Sequence, residues 1–176
     1  MDNRYVKIFA SGSKAPLKAT PGHFATNHAH INYYLDMTTL KTRLSEAQEV
    51  AKHLAERFLF DKVVDTIVCL EGTQVIGAYL AEELTRAGVL STNAHKTIYV
   101  ITPEYNSNSQ MVFRENILPM VHGKNVVILT AVVTTGLSLN KSIEAIQYYG
   151  GKLQSAAAVF STLDELNGCP ITSIYS

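Results

Sequence analysis

The stretch from Asn125 to Gly151 constrains this chain more than any other. Asn125-Val126-Val127-Ile128-Leu129-Thr130-Ala131-Val132 is apolar almost throughout. It then runs through Thr134-Thr135-Gly136 into a helical pattern, with Leu139, Ile143, Ile146 and Tyr149 on one face and Gly150-Gly151 as the stop. A strand that is apolar on both faces must be covered on both, which is the condition of a parallel strand between layers of helices. The alternation repeats upstream. Residues 63–70 predict a second buried strand, Glu71-Gly72-Thr73 a turn, and 74–86 a helix that stops near Gly88. Further strands are expected over 97–102, 156–160 and 171–175. Leu40, Leu44, Ala47, Ala51, Leu54 and Phe58 recur at spacings of three and four, the signature of one face of a single helix. Strands alternating with helices in this way predict an α/β fold with a mostly parallel sheet flanked by helices. Residues 103–123, with Pro103, Asn106, Asn108 and Pro119, read as a loop. Residues 1–35 read as irregular apart from a strand over Ile31-Asn32-Tyr33-Tyr34-Leu35, where aromatic and β-branched side chains favour extension.

Composition narrows the function classes. At 176 residues with 47% hydrophobic side chains, the chain suits one domain, residues 1–176, with its own core. Fifteen basic side chains balance fifteen acidic ones, which argues against a nucleic-acid binder relying on a basic footprint. No apolar run approaches the roughly 20 residues of a membrane span, and the first residues carry no signal core, so the expectation is no membrane and a cytoplasmic location. Cys69 and Cys169 make no disulfide framework and no zinc-binding spacing. His23, His28 and His30 read as solvated or ligand-contacting, and no metal site is expected from them.

In an open α/β sheet, ligands bind where strand C-termini meet helix N-termini. Two such turns are rich in small residues, Leu70-Glu71-Gly72-Thr73-Gln74 and Val132-Val133-Thr134-Thr135-Gly136-Leu137-Ser138. The second has the chemistry of a phosphate cradle. Gly136 permits close backbone approach, the first N–H groups of the helix point outward with the positive end of its dipole, and Thr134, Thr135 and Ser138 add hydroxyl donors. The same residues also suit a plain helix cap. No Gly-Lys-Ser/Thr follows, so this is not a P-loop.

Residues Val126 to Ser138 resemble the phosphoribosyl pyrophosphate signature of the type I phosphoribosyltransferases: four apolar residues, two acidic, two variable, then Thr-Thr-Gly-x-Ser/Thr. Gly22-His23-Phe24 with Asn32-Tyr33-Tyr34-Leu35-Asp36 is similar to the N-terminal base-binding segment of the orotate phosphoribosyltransferases. Glu71-Gly72-Thr73-Gln74-Val75-Ile76-Gly77 takes the place of that family's pyrophosphate loop. The resemblance implies a hood over residues 1–40 on an α/β core over 41–176, with a five-stranded parallel sheet. It implies that Thr134, Thr135, Gly136, Leu137 and Ser138 hold a 5′-phosphate. Thr130 and Ala131 would lie at the ribose, Glu71, Gly72, Thr73 and Gln74 at the pyrophosphate, and Tyr33 and Tyr34 near the base. It further implies phosphoribosyl pyrophosphate or a nucleoside monophosphate as ligand, Mg²⁺ as cofactor if the protein is catalytic, and a homodimer.

The chain departs from that pattern wherever charge is handled. Thr130 and Ala131 stand at the two acidic positions. Losing two charged hydrogen bonds would cost roughly 3–6 kcal/mol if they act independently, and Asp36, Glu71 and Glu104 are the nearby acids that would have to compensate. The stretch 101–110 lacks the Arg-Lys and Lys-x-His-Gly of the family's closing loop, with Arg114 the one cation nearby. Asn27-His28-Ala29 stands where the hood has Ser-Gly-Arg. The leading reading is therefore an orotate phosphoribosyltransferase-like protein that keeps a phosphate cradle and transfers weakly or not at all. An active Mg²⁺-dependent transferase with an unidentified base is the alternative, and a non-catalytic dimeric interaction module is the third.

Overall fold

A computed structural model of the chain describes residues 4–25, 30–86 and 90–176. Asn27, His28, Ala29 and the helix stop assigned to Gly88 lie outside the described residues. The chain begins with β1 (Val6–Phe9), β2 (Pro16–Ala25) and β3 (His30–Asp36), followed by α1 (Thr38–Thr42) and α2 (Leu44–Phe58). Next come β4 (Thr66–Cys69), α3 (Gln74–Thr85), β5 (Tyr99–Ile101), and a small hairpin of β6 (Glu104–Tyr105) and β7 (Met111–Val112). The last part is β8 (Asn125–Val133), α4 (Leu137–Tyr148), β9 (Lys152–Ser161), β10 (Glu165–Leu166) and β11 (Cys169–Tyr175).

The main sheet has the order β10-β11-β9-β8-β4-β5. The five strands from β11 to β5 pair in parallel, and β10 folds back antiparallel along the β11 edge. Because successive side chains on a strand point to opposite faces, each apolar run feeds two cores. Ile67, Cys69, Val127, Leu129, Ala157 and Val159 pack with Ala51 and Leu54 of α2 and Ile76 and Leu80 of α3. Val68, Ile128, Ala156 and Ala158 pack on the other face with Leu139, Ile143 and Ile146 of α4. Near-continuous apolarity is thus the sequence consequence of helices on both faces.

At the close approach of α3 to β4, a Cβ built on Gly77 would run into Cys69 Sγ and come within 3.2 Å of Val100 Cγ1. Cys69 is fully buried, and burial pushes its thiol up to about 12.

The amino-terminal region is regular, contrary to the expectation of irregular chain with one strand. β1, β2 and β3 form their own antiparallel sheet in that order, with a bulge between Pro21 and Phe24. Two physical reasons hid it. All four residues of β1 are exposed, so no alternation marks it, and Pro16, Pro21 and Gly22 within β2 read as breakers. Ala15 and Leu17 anchor this sheet in the core of α2 and α3, and the Tyr175 hydroxyl donates to the Ala15 carbonyl at 2.6 Å. The single helix expected over 40–58 is two, because Arg43 is extended (φ −82°, ψ 122°), yet Leu40, Ala47, Ala51 and Leu54 all remain buried. The loop expected over 103–123 contains the β6–β7 hairpin and a 3-10 turn at Leu118–Met120, elements too short to show a period. β9 begins at Lys152, four residues earlier than expected.

Candidate functional site

The C-terminal ends of β4 and β8 open into a cleft of about 1360 Å³. Its floor is the turn Thr134-Thr135-Gly136-Leu137-Ser138, all five of which line it. Gly136 adopts φ +78°, a left-handed conformation, and starts α4, with Asn140 N–H donating to the Gly136 carbonyl at 2.8 Å. The N–H groups of a helix's first turn have no partner within the helix; here the Leu137 N–H donates to Thr135 Oγ1 at 3.5 Å, and the turn carries the remaining ones at the cleft floor. Thr134, Thr135 and Ser138 are exposed beside them. The Thr134 carbonyl is held by the Thr162 hydroxyl at 2.9 Å and the Ser138 carbonyl by the Ser142 hydroxyl at 3.0 Å, which fixes the turn from behind. Lys141, one turn further along α4, also lines the cleft. It brings a cation to the cradle that the turn sequence alone did not reveal, although its spacing of three from Ser138 puts both on one side of the helix.

The other turn is built differently. Glu71 takes a left-handed backbone (φ +54°), as does Gly72 (φ +74°). Thr73 is fully buried, and its hydroxyl is directed at the carbonyls of Leu70 (2.7 Å) and Leu129 (3.1 Å). Its place is therefore structural, tying the turn to β8. Thr73→Val, which keeps the shape and removes the donor, is expected to lower stability by about 1 kcal/mol, measured by urea unfolding. Of the four residues assigned to this turn, Glu71 lines the cleft, while Gly72 and Gln74 are exposed outside its lining.

The Glu71 carboxylate returns to β8. Its Oε2 accepts from the Thr130 hydroxyl at 2.9 Å, the Ala131 N–H at 3.1 Å and the Val132 N–H at 3.2 Å. The segment where the resemblance placed two acids thus holds one carboxylate after all, delivered from the neighbouring turn. The other two candidate acids are engaged elsewhere. Asp36 accepts from the Thr38 N–H at 3.0 Å, a bond that lowers its pKa, and Glu104 pairs with exposed Arg114 at 2.8 Å. Arg114 lies outside the cleft lining. Lys41, unremarked in the sequence, donates from Nζ to the Glu71 carbonyl at 2.9 Å, so α1 supplies a cation at the β4–α3 turn.

The far wall is the β6–β7 hairpin. Asn106 Oδ1 accepts from the N–H groups of Asn108 (2.9 Å) and Gln110 (3.0 Å), and Asn106 N–H donates to the Gln110 carbonyl at 3.0 Å. Tyr105, Tyr148 and Tyr149 add aromatic faces to the lining. Burial, then the charge of Glu71, raises the pKa of the Tyr105 phenol. Tyr33 and Tyr34 are half-exposed on β3 and outside the lining, and the amino-terminal sheet reaches the cleft through Ile31. His23 and His30 stack across β2 and β3, with Nε2 and Nδ1 3.1 Å apart.

No protein-family model matches the chain, and no curated protein matches it in sequence. Solved structures do match. The fold is similar to UMP synthase from Leishmania donovani, with a TM-score of 0.65 and 17% identity over 89% of this chain and 33% of that one. The chain therefore spans about a third of the length of that protein. It is similar to Mycobacterium tuberculosis H37Rv orotate phosphoribosyltransferase, a structure in complex with 5-phospho-α-D-ribosyl 1-diphosphate, with a TM-score of 0.59 and 16% identity over 81% and 80% of the two chains. Adenine phosphoribosyltransferase from Thermoanaerobacter pseudethanolicus matches with a TM-score of 0.60 and 17% identity over 88% and 94%. At these identities the likeness is one of fold, and the fold is that of the type I phosphoribosyltransferases. No helix among the described residues is long and apolar enough to cross a membrane.

Proposed function

We propose that the chain binds a 5′-phosphoribosyl ligand, such as ribose 5-phosphate or a nucleoside monophosphate, and transfers the ribosyl group weakly or not at all. The observation that carries this reading is the turn Thr134–Ser138 at the cleft floor, with left-handed Gly136 opening α4 toward the ligand. A helix N-terminus with exposed hydroxyls and a nearby lysine is complementary to a phosphate dianion. The diphosphate end is less well served. Cleavage of the glycosidic bond leaves negative charge on a departing pyrophosphate, which needs cations placed in advance. Among the described residues of the cleft lining, Lys141 is the one basic side chain, with Lys41 anchored to the turn beside it.

The donor set does not make a resident Mg²⁺ site. No group of three or more His, Cys, Asp or Glu side chains that could hold a metal ion stands together among the described residues. Mg²⁺ enters this reading only as the counter-ion a diphosphate brings with it. A homodimer in the cytoplasm belongs to the same reading, and sedimentation velocity checks the dimer; Tyr33 and Tyr34, outside the cleft lining, carry no part of it.

The second reading, an active transferase, is favoured by one observation, the Glu71 carboxylate at Thr130–Val132. One pair of measurements separates the two. Calorimetric titration with ribose 5-phosphate and with phosphoribosyl pyrophosphate, each with and without Mg²⁺, is expected to show binding of both with little dependence on the metal. Pyrophosphate release over a panel of nucleobases is expected to stay near background. Release at enzyme-like rates of about 1 s⁻¹ or more would establish the transferase and refute the weaker reading.

A further inference from the structure

A second concave site lies away from the cleft, where β1 and β2 meet α1 and α2. It encloses about 450 Å³, and none of its lining residues lines the cleft at Thr134–Ser138. That volume falls within the range of small-molecule pockets, about 300–1,000 Å³. Lys7, Lys14, Lys18 and Arg43 line it, with Glu46 and Glu49. Four cations against two carboxylates leave an excess of two positive charges, in a chain whose formal net charge is zero.

The carboxylates are spent on the walls. Glu49 Oε1 accepts from the Lys14 N–H at 3.1 Å and stands 3.2 Å from His53 Nε2, which holds the loop before β2 against α2. Glu46 Oε1 accepts from the Thr39 hydroxyl at 3.2 Å and ties α1 to α2. The lysines are not spent in this way. Among the described residues no hydrogen bond engages the ammonium group of Lys7, Lys14 or Lys18, and the Lys18 ammonium lies 5.7 Å from the centroid of the Tyr5 ring. Lys7 and Lys18 stand directly opposite each other across β1 and β2. Like charges so placed repel. The one carboxylate in their row, Asp36 on the far side of Lys18, already accepts from the Thr38 N–H at 3.0 Å.

The fourth cation comes from the break between α1 and α2. The buried stripe of Leu40, Ala47, Ala51 and Leu54 continues across Arg43, so the break is not needed to bury the apolar face. The extended backbone of Arg43 instead accompanies its place in the pocket lining. Its Nη1 stays 3.8 Å from Glu46 Oε2, beyond hydrogen-bonding distance, and its side chain is 70% exposed.

We propose that this pocket is a second ligand site, for a small phosphate-bearing molecule with two negative charges. A phosphate dianion matches the excess charge of the lining. It relieves the opposed Lys7 and Lys18, and its oxygens suit the planar guanidinium of Arg43. The proposal stands apart from the reading of the cleft, whose cradle offers backbone N–H groups and hydroxyls where this pocket offers side-chain charge.

Inorganic phosphate, as the dianion, titrated into isotope-labelled protein at constant ionic strength and followed by amide NMR, tests it. Saturable shifts are expected at Lys7, Lys14, Lys18 and Arg43, as a set separate from any at Thr134–Ser138. Lys7→Gln and Lys14→Gln are each expected to weaken the first set roughly tenfold and to leave the second unmoved. Both side chains are exposed, and the spectra without phosphate check that the fold is kept. Lys152→Gln, at an exposed lysine outside both sites, is expected to change neither set. Absence of saturable shifts at the four residues would overturn the proposal, and a response confined to Thr134–Ser138 would leave the cradle standing. An equal loss in Lys152→Gln would reduce the effect to non-specific screening and overturn it. A hexaglutamate peptide that binds here where phosphate does not would make the surface a dock for an acidic chain, and would overturn it as well.

Discussion

Gly136→Val is expected to abolish binding of ribose 5-phosphate and to lower stability by about 2–4 kcal/mol. Two independent effects add. The residue sits at φ +78°, where a side chain costs about 1–2 kcal/mol and a β-branched one is a true outlier. A Cβ there would also meet both Leu166 Cδ atoms at 3.1 Å and Leu163 Cδ1 at 3.2 Å, in the segment that covers the turn from the β10 side. The leucine ends can give by a few tenths of an ångström, but the strain at φ +78° remains and is relieved only if the turn moves, and its N–H groups then no longer converge on one point. Urea unfolding reads the first effect and calorimetry the second. Thr135→Val serves as the comparison, since it removes a hydroxyl without touching the backbone. Its expected loss is only about tenfold in affinity, and unchanged binding by the Gly136→Val protein would show that this turn is not the phosphate site.

Gly77→Ala is the second large effect, and it acts far from any ligand. Intrinsic propensity favours alanine in the middle of α3 by about 1 kcal/mol, so the sign depends on packing. The added methyl falls on Cys69 Sγ and lies 3.2 Å from Val100 Cγ1 and 3.6 Å from Leu129 Cδ2, all on strands that cannot yield separately. Overpacking of this kind typically costs 1–3 kcal/mol. The overlap with the sulfur puts this site at the upper end of that range, about 3 kcal/mol, so after the gain in propensity the net expectation is a loss of about 2 kcal/mol, or roughly 4–8 °C in Tm for a chain of this size. The double variant Cys69→Ala/Gly77→Ala gives the proposal its control: removing the sulfur makes room for the methyl, and most of the loss should return. Additive losses in the double variant would mean that the helix and strand do not meet here as described.

What the sequence discloses and what it conceals follow one physical distinction. β8 and α4 were legible almost to the residue because each buries a face, and burial writes a period into the chain. β4 and α3 were legible for the same reason. β1 was not, because its four residues are all exposed and obey no pattern. The break at Arg43 was invisible because the buried stripe of Leu40, Ala47, Ala51 and Leu54 continues across it. The site divides the same way. Thr134–Ser138 is local, and its residue types state its chemistry. Glu71 was legible only as one of three acids near enough to matter. Choosing it from Asp36 and Glu104 required knowing that its side chain crosses to Thr130, 59 residues away in sequence. Lys41 gave no signal, since its partner is a backbone carbonyl on another element.

The hairpin that walls the cleft has a kinetic consequence. Asn106 ties its own tip together before any ligand is present, through bonds to Asn108 and Gln110. A lip already in its final form draws no ordering entropy from the encounter, so capture is not slowed by waiting for a loop to settle. On the proposed reading the hairpin contributes shape rather than closure, so a ligand's residence would be set by its contacts with the cradle and not by a lid, the element that delays escape in many enzymes.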